Sequence, residues 1–166
     1  MKIFKKIHLK AIFIKYIILL LFSIIIPQNK LLFSASTVQG KTINGNTVEI
    51  FKDNVKIIDD KIKLLANKAM HFKDQKKVII DDNVIMINQN DSLFCDKLIL
   101  FQNLNNNIYK ATGNIVFKQA QRTLYCDSLT YWKDMDNIKA ESNVLIKDFD
   151  RVIKSDSAYI NYENSL

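Results

Sequence analysis

Apolar and polar positions along the chain follow one pattern four times. An alternating apolar run follows an asparagine, passes a polar turn and enters a second alternating run. An Asp or Asn stands thirteen residues after the first asparagine: Asn54 to Asn67, Asn83 to Asp96, Asn114 to Asp127, and Asn143 to Asp156. The copies start 29, 31 and 29 residues apart (83−54, 114−83, 143−114). Self-similarity at a fixed period marks a repeat architecture.

Within a copy the period is two. Directly after each Asn, alternate positions are apolar: Val55/Ile57, Val84/Met86, Ile115/Phe117 and Val144/Ile146. Before it, Val78/Ile80, Tyr109/Ala111 and Ile138/Ala140 continue the same face. This alternation predicts strands rather than helices. In the second run, Leu64, Leu93, Leu124 and Ile153 precede the Asp or Asn by three, while Ala69, Leu98, Leu129 and Ala158 follow it by two. The apolar phase therefore slips by one at that residue, as a bulge or corner requires. Asn and Asp suit such corners because they tolerate left-handed backbone and bond to nearby amides. All eight positions, Asn54, Asn67, Asn83, Asp96, Asn114, Asp127, Asn143 and Asp156, are expected corners.

Each copy thus predicts two long antiparallel strands, each bent in its middle and joined by polar turns such as Asp59-Asp60 and Gln119-Ala-Gln121. Bending every strand at one height brings two sheets face to face, ≈10 Å apart. The expected fold is all-β: a repeat-built β-jellyroll, or open two-sheet sandwich, of four repeats. Residues 37–51, with Gly40 and Gly45, read as the tail of an incomplete leading copy that caps the stack. The fourth copy ends after its second strand, which reads either as an edge open to strand addition or as a chain cut from a longer array.

Charge changes the picture only once it is located. The chain carries a formal net charge of +7, yet Lys2, Lys5, Lys6, Lys10, Lys15 and Lys30 precede the repeats with no acid among them. Removing them leaves 18 bases (24−6) against 17 acids. No Lys/Arg stripe of the kind that phosphate backbones need remains, so no nucleic-acid partner is expected. The basic segment and the apolar run Tyr16–Ile26, closed by Pro27, read as an export signal. That run is shorter than the roughly 20 residues that span a bilayer. Cleavage near Ser34-Ala35-Ser36 or retention of residues 1–26 as an anchor both remain open. Residues 1–36 are accordingly taken as signal or anchor, and 37–166 as the folded domain.

Cys95 and Cys126 each precede the repeat Asp, where other copies carry Ala66 and Ser155. A slot for a small inward residue explains them better than a disulfide, since free Cys behaves as a small hydrophobe. Two strand spacings would separate them by about 10 Å, beyond disulfide reach.

The words Thr112-Gly-Asn-Ile-Val-Phe117, Leu124-Tyr-Cys-Asp-Ser-Leu129 and Asp91-Ser-Leu-Phe-Cys-Asp-Lys-Leu98, recurring behind a signal, resemble the OstA-like family: the periplasmic LptA proteins, their relatives LptC and the amino-terminal domain of LptD. The resemblance spans roughly residues 47–162. Departures are Asp-Asn or Ser-Asn for Gly-Asn in three copies, Asn67 for Asp in the first, and the absent final strand. It implies a β-jellyroll whose apolar interior holds the acyl chains of lipopolysaccharide. It also implies edge-to-edge pairing with itself or with other Lpt-type jellyrolls, bridging inner to outer membrane through the periplasm. Ile57, Leu64, Met86, Leu93, Phe117, Leu124, Ile146 and Ile153 are the interior residues expected to contact lipid. The plainer reading of the same residues is a core that packs shut.

Other chemistry finds little support. Asp96, Asp127 and Asp156 form a ladder that would suit a carbohydrate-active β-helix, since paired carboxylates can act as acid and base. Against it, the slot is Asn67 in the first copy, and the period suits two antiparallel strands. His71 has no carboxylate cluster beside it in sequence to complete a zinc set. With three glycines there is no phosphate-cradling loop. No cofactor and no catalysis are expected, and an anchored LptC-like subunit is the nearest alternative role.

Overall fold

A computed structural model describes residues 31–103 and 106–161, and the compact unit begins at Leu31. The leader through Lys30 lies outside the described residues. Ten antiparallel strands follow: β1 (Leu32–Ser34), β2 (Thr37–Ile43), β3 (Asn46–Asp59), β4 (Ile62–Phe72), β5 (Lys77–Asn88), β6 (Asp91–Phe101), β7 (Ile108–Gln119), β8 (Arg122–Trp132), β9 (Asn137–Asp148) and β10 (Arg151–Asn161). They form one open sheet in the order β1-β3-β4-β5-β6-β7-β8-β9-β10, with β2 also on β3. The four expected copies are the pairs β3/β4, β5/β6, β7/β8 and β9/β10.

The sheet folds over on itself at one height. In each odd strand from β3 to β9, two consecutive residues are left-handed: Asp53-Asn54 (φ 60 and 54), Asp82-Asn83 (69 and 54), Gly113-Asn114 (78 and 47) and Ser142-Asn143 (64 and 53). The register skips there, two residues on the odd strand opposing one on the even strand. A two-residue insertion preserves side-chain parity in the odd strand, while the single residue opposite flips it in the even strand. That is why the apolar phase slips at the Asp.

All eight expected corner positions fall at register shifts, but only those on the odd strands are left-handed. Asn67, Asp96, Asp127 and Asp156 are not left-handed. Instead, Asp96 accepts from the Asn114 amide (2.9 Å), Asp127 from that of Asn143 (2.6 Å), and Asn67 donates to Asp82 (3.2 Å). The aspartates satisfy the corner from the neighbouring strand rather than forming it.

The amino-terminal boundary also shifts. Residues 47–51 are not the tail of a leading copy; they are the first half of β3, continuous with Asn54. β1 pairs with Lys56–Ile58 and β2 with Asn46–Lys52, so together they make one strand broken at Ala35-Ser36. Ser36 accepts from Asn54 Nδ2 (3.2 Å), the part Asp96 plays for Asn114, and both lie eighteen residues before their Asn. A domain start at residue 37 would cut this strand.

Gly113 has a particular reason. A Cβ there would lie 2.4 Å from Asp96 Oδ2, and φ is +78. In the preceding copy the same place holds Asp82, opposite Asn67 rather than an aspartate. Gly113→Asp should therefore destabilise through carboxylate repulsion, and adding Asp96→Asn should recover stability by recreating the Asn67–Asp82 pair. The coupling in a denaturant double-mutant cycle should be about 1 kcal/mol or more. Additive effects would show that the corner does not distinguish its partners.

Candidate functional site

The corner divides the sheet into two layers. One lies between the corner and the hairpin turns after Asp59, Asn88, Gln119 and Asp148. The other lies beyond the corner, and their inner faces meet: Asn88 Nδ2 of the first donates to Tyr131 Oη of the second (3.3 Å).

In the first layer the eight residues singled out from sequence form one row across the strands, each directly opposite the next: Ile57, Leu64, Met86, Leu93, Phe117, Leu124, Ile146 and Ile153. Phe33 on β1 extends the row beyond Ile57. Nine strands at about 4.8 Å spacing give an apolar rail about 38 Å long. The first six are buried and Ile146 is partly buried. Ile153 departs from the expected interior, being 51% exposed, because β10 is the last described strand and no described residue packs beyond it. The row thus emerges into solvent at this edge.

The facing layer is lined by smaller side chains. Phe51, Ala69, Ile80, Leu98, Ala111 and Leu129 make its row nearest the corner, continued by Ala140 and Ala158. The interior is packed shut in this conformation. The space among Met86, Leu93, Phe117, Tyr131 and Ile138 measures ≈10 Å³, about one water. Any chain-like ligand has to part the layers.

Opposite the corner, where the layers end, a polar clamp joins them. Asp59, at the end of β3 and 1% exposed, receives Lys133 Nζ (2.9 Å), Asn107 Nδ2 (2.8 Å) and the Tyr109 hydroxyl. Asp59 belongs to one layer, and its partners lie in or beside the other. Tyr131 donates onward to Asp136 (3.0 Å). Sequence reading took Asp59 as turn residue only. Its offset from Asn54 continues the inward parity of Val55 and Ile57, a signal that was available.

Cys95 and Cys126 are free and buried, on β6 and β8 with β7 between them. Burial, helped by the adjacent Asp96, pushes the Cys95 thiol up to about 12, and burial with Asp127 pushes Cys126 up to about 11. At the β1 end, Phe33 stacks on Phe51 (4.8 Å) and on His71 (4.9 Å). Lys73 (2.5 Å from Glu49), with help from His71, holds the Glu49 carboxyl below its ordinary range. His71 thus serves a local stack and lies 3.3 Å from the Glu49 carboxylate.

An open antiparallel jellyroll, with a continuous apolar interior surfacing at a free strand edge, defines the class. A sequence model of the family described as OstA-like protein matches residues 95–165, and the strands before it repeat the same register. Residues 95–165 are thus similar to the OstA-like family, a transport and binding family of the lipopolysaccharide-transport type. Comparison with curated proteins gives no match.

Proposed function

We propose that this protein binds lipopolysaccharide or a similar amphiphile in the periplasm and passes it along as part of a bridge between inner and outer membranes. The acyl chains lie between the layers and the sugar head stays in water. The observation that carries this reading is the apolar row from Phe33 to Ile153, buried at its centre and exposed at the β10 edge. A rail of unbroken register lets a chain slide without losing its apolar contacts, at about 0.8 kcal/mol per buried methylene. Edge pairing at β10 with another Lpt-type jellyroll would extend the rail. Among the described residues no strand follows β10, so Asp156 has no corner Asn of a following strand to accept from, in contrast to Asp96 and Asp127.

The test is mass spectrometry of lipid extracted from protein purified out of its native periplasm, with an Ile146→Glu/Ile153→Glu variant beside it. Both positions reach solvent, so the charges need not be buried and the fold should persist by circular dichroism. Lipid is expected in the wild type and absent from the folded variant. Lipid-free wild type, or equal loading of both, would overturn the reading.

A further inference from the structure

The outward face of the first layer is unlike an ordinary solvated sheet face. Antiparallel sheets with one wet side alternate apolar inside with polar outside. Here the outward row Leu65, Ile85, Phe94, Val116, Tyr125 and Leu145 is also apolar except for one phenol, and its members stand directly opposite one another across β4 to β9. Five spacings of about 4.8 Å make it about 24 Å long. All six side chains are partly exposed.

Lysines surround it. Lys56, Lys63, Lys118, Lys147 and Lys154 occupy outward positions of this layer, and none of its outward positions between corner and turn carries Asp or Glu. Lys118 Nζ lies 5.4 Å from the Phe94 ring centroid and Lys147 Nζ 5.3 Å from that of Tyr125, so their stems lie along the apolar row. The nearest carboxylates are mostly engaged at the borders: Asp96 and Asp127 by corner amides, and Asp148 by Arg122 (3.3 Å). The outward face of the second layer differs, since Asp81 meets Lys97 (3.7 Å) and Glu141 meets Lys139 (2.7 Å).

The geometry points to this outward face of the first layer as a docking surface for an anionic lipid bilayer, independent of the interior rail. Charge complementarity selects the occupant. A face of aliphatic and aromatic side chains framed by lysines without acids matches a headgroup plane carrying phosphate, with the apolar row at the acyl boundary. An acidic protein would meet the lysines equally but has less use for a flat apolar strip. Docked this way, the molecule lies with the first layer against the membrane and the corner at the rim of the contact.

The full chain is used for the test, because a leader common to all samples then contributes equally. A Ser92→Cys variant carries an environment-sensitive fluorophore on this face; Thr112→Cys carries it on the second layer's outward face. The buried, proton-retaining native cysteines leave the new thiol as the reactive one. On phosphatidylcholine vesicles containing phosphatidylglycerol, the Ser92 label should shift to the blue and the Thr112 label should not. Phosphatidylcholine alone should produce little shift at either. Adding Lys118→Gln and Lys147→Gln should weaken the Ser92 response about fivefold per lysine. A response equal on neutral and anionic vesicles, or equal from both labels, would overturn the proposal. So would no response from either label, which would leave the face to an acidic protein. Ile146→Glu/Ile153→Glu should leave the Ser92 shift intact, so failure here and failure of the interior reading are told apart.

Discussion

Asp59→Ala is expected to lower the free energy of unfolding by about 3–5 kcal/mol, the cost of leaving a buried ion with its partner removed. The Lys133 side chain is only 12% exposed, so its ammonium could not simply return to water. Asn107 and Tyr109 would also lose the carboxylate that accepts from them. Replacing both charges, Asp59→Leu with Lys133→Leu, should cost much less than the sum of the single changes, because apolar pairs often substitute for buried ion pairs at little net cost. Urea denaturation of the four proteins gives the coupling directly. Additive losses would mean that the two groups do not depend on each other in solution. The clamp also bears on function. It joins the layers on the side opposite the corner, so a ligand entering there must separate Asp59 from Lys133. Asp59→Asn, which keeps an acceptor but drops the charge, should lower that barrier and speed uptake of a fluorescent fatty acid.

Strand alternation made the architecture legible because each inward position recurs at a fixed offset in four copies. Redundancy corrects the noise of any one copy. The same alternation placed Ile57 through Ile146 on one face, and antiparallel pairing then aligned them in a single row. What stayed hidden depended on the neighbouring strand rather than on local pattern. The phase slip at Asp96 is visible in sequence, but its cause is the two-residue insertion at Gly113-Asn114 on the adjoining strand. Ser36 was missed because its copy is reduced to a broken strand, leaving only the spacing to Asn54. Asp59 was read as half of a turn, since local turn chemistry explains an Asp-Asp pair before tertiary contacts are known. Ile153 follows the repeat, yet the repeat cannot say that no described strand covers it. The outward row from Leu65 to Leu145 was visible as polar positions left unfilled, and it became a surface only once the register aligned the strands.

Phe117 separates packing from binding most clearly. It sits mid-row between Leu93 and Leu124, 4% exposed, beside the small space bounded by Tyr131 and Ile138. Phe117→Ala should cost about 3–5 kcal/mol in the empty protein, because a stiff two-layer sheet collapses poorly around the space left behind. Phe117→Glu should cost more. It forfeits the same contacts and places a carboxylate where no cation waits, approaching the whole of a typical 5–15 kcal/mol stability. Lost lipid in that variant would therefore report unfolding rather than a missing contact, and the alanine is the informative change. A ligand that binds only the folded state raises its stability by RT ln(1 + [L]/Kd). If acyl chains occupy this part of the rail, they fill the space that alanine opens. Added lipopolysaccharide should then raise the Tm of Phe117→Ala by more than it raises that of the wild type. An equal rise in both would place the chains away from Phe117. A rise in neither would mean that the row is core alone, closed by the same apolar register that made it resemble a rail.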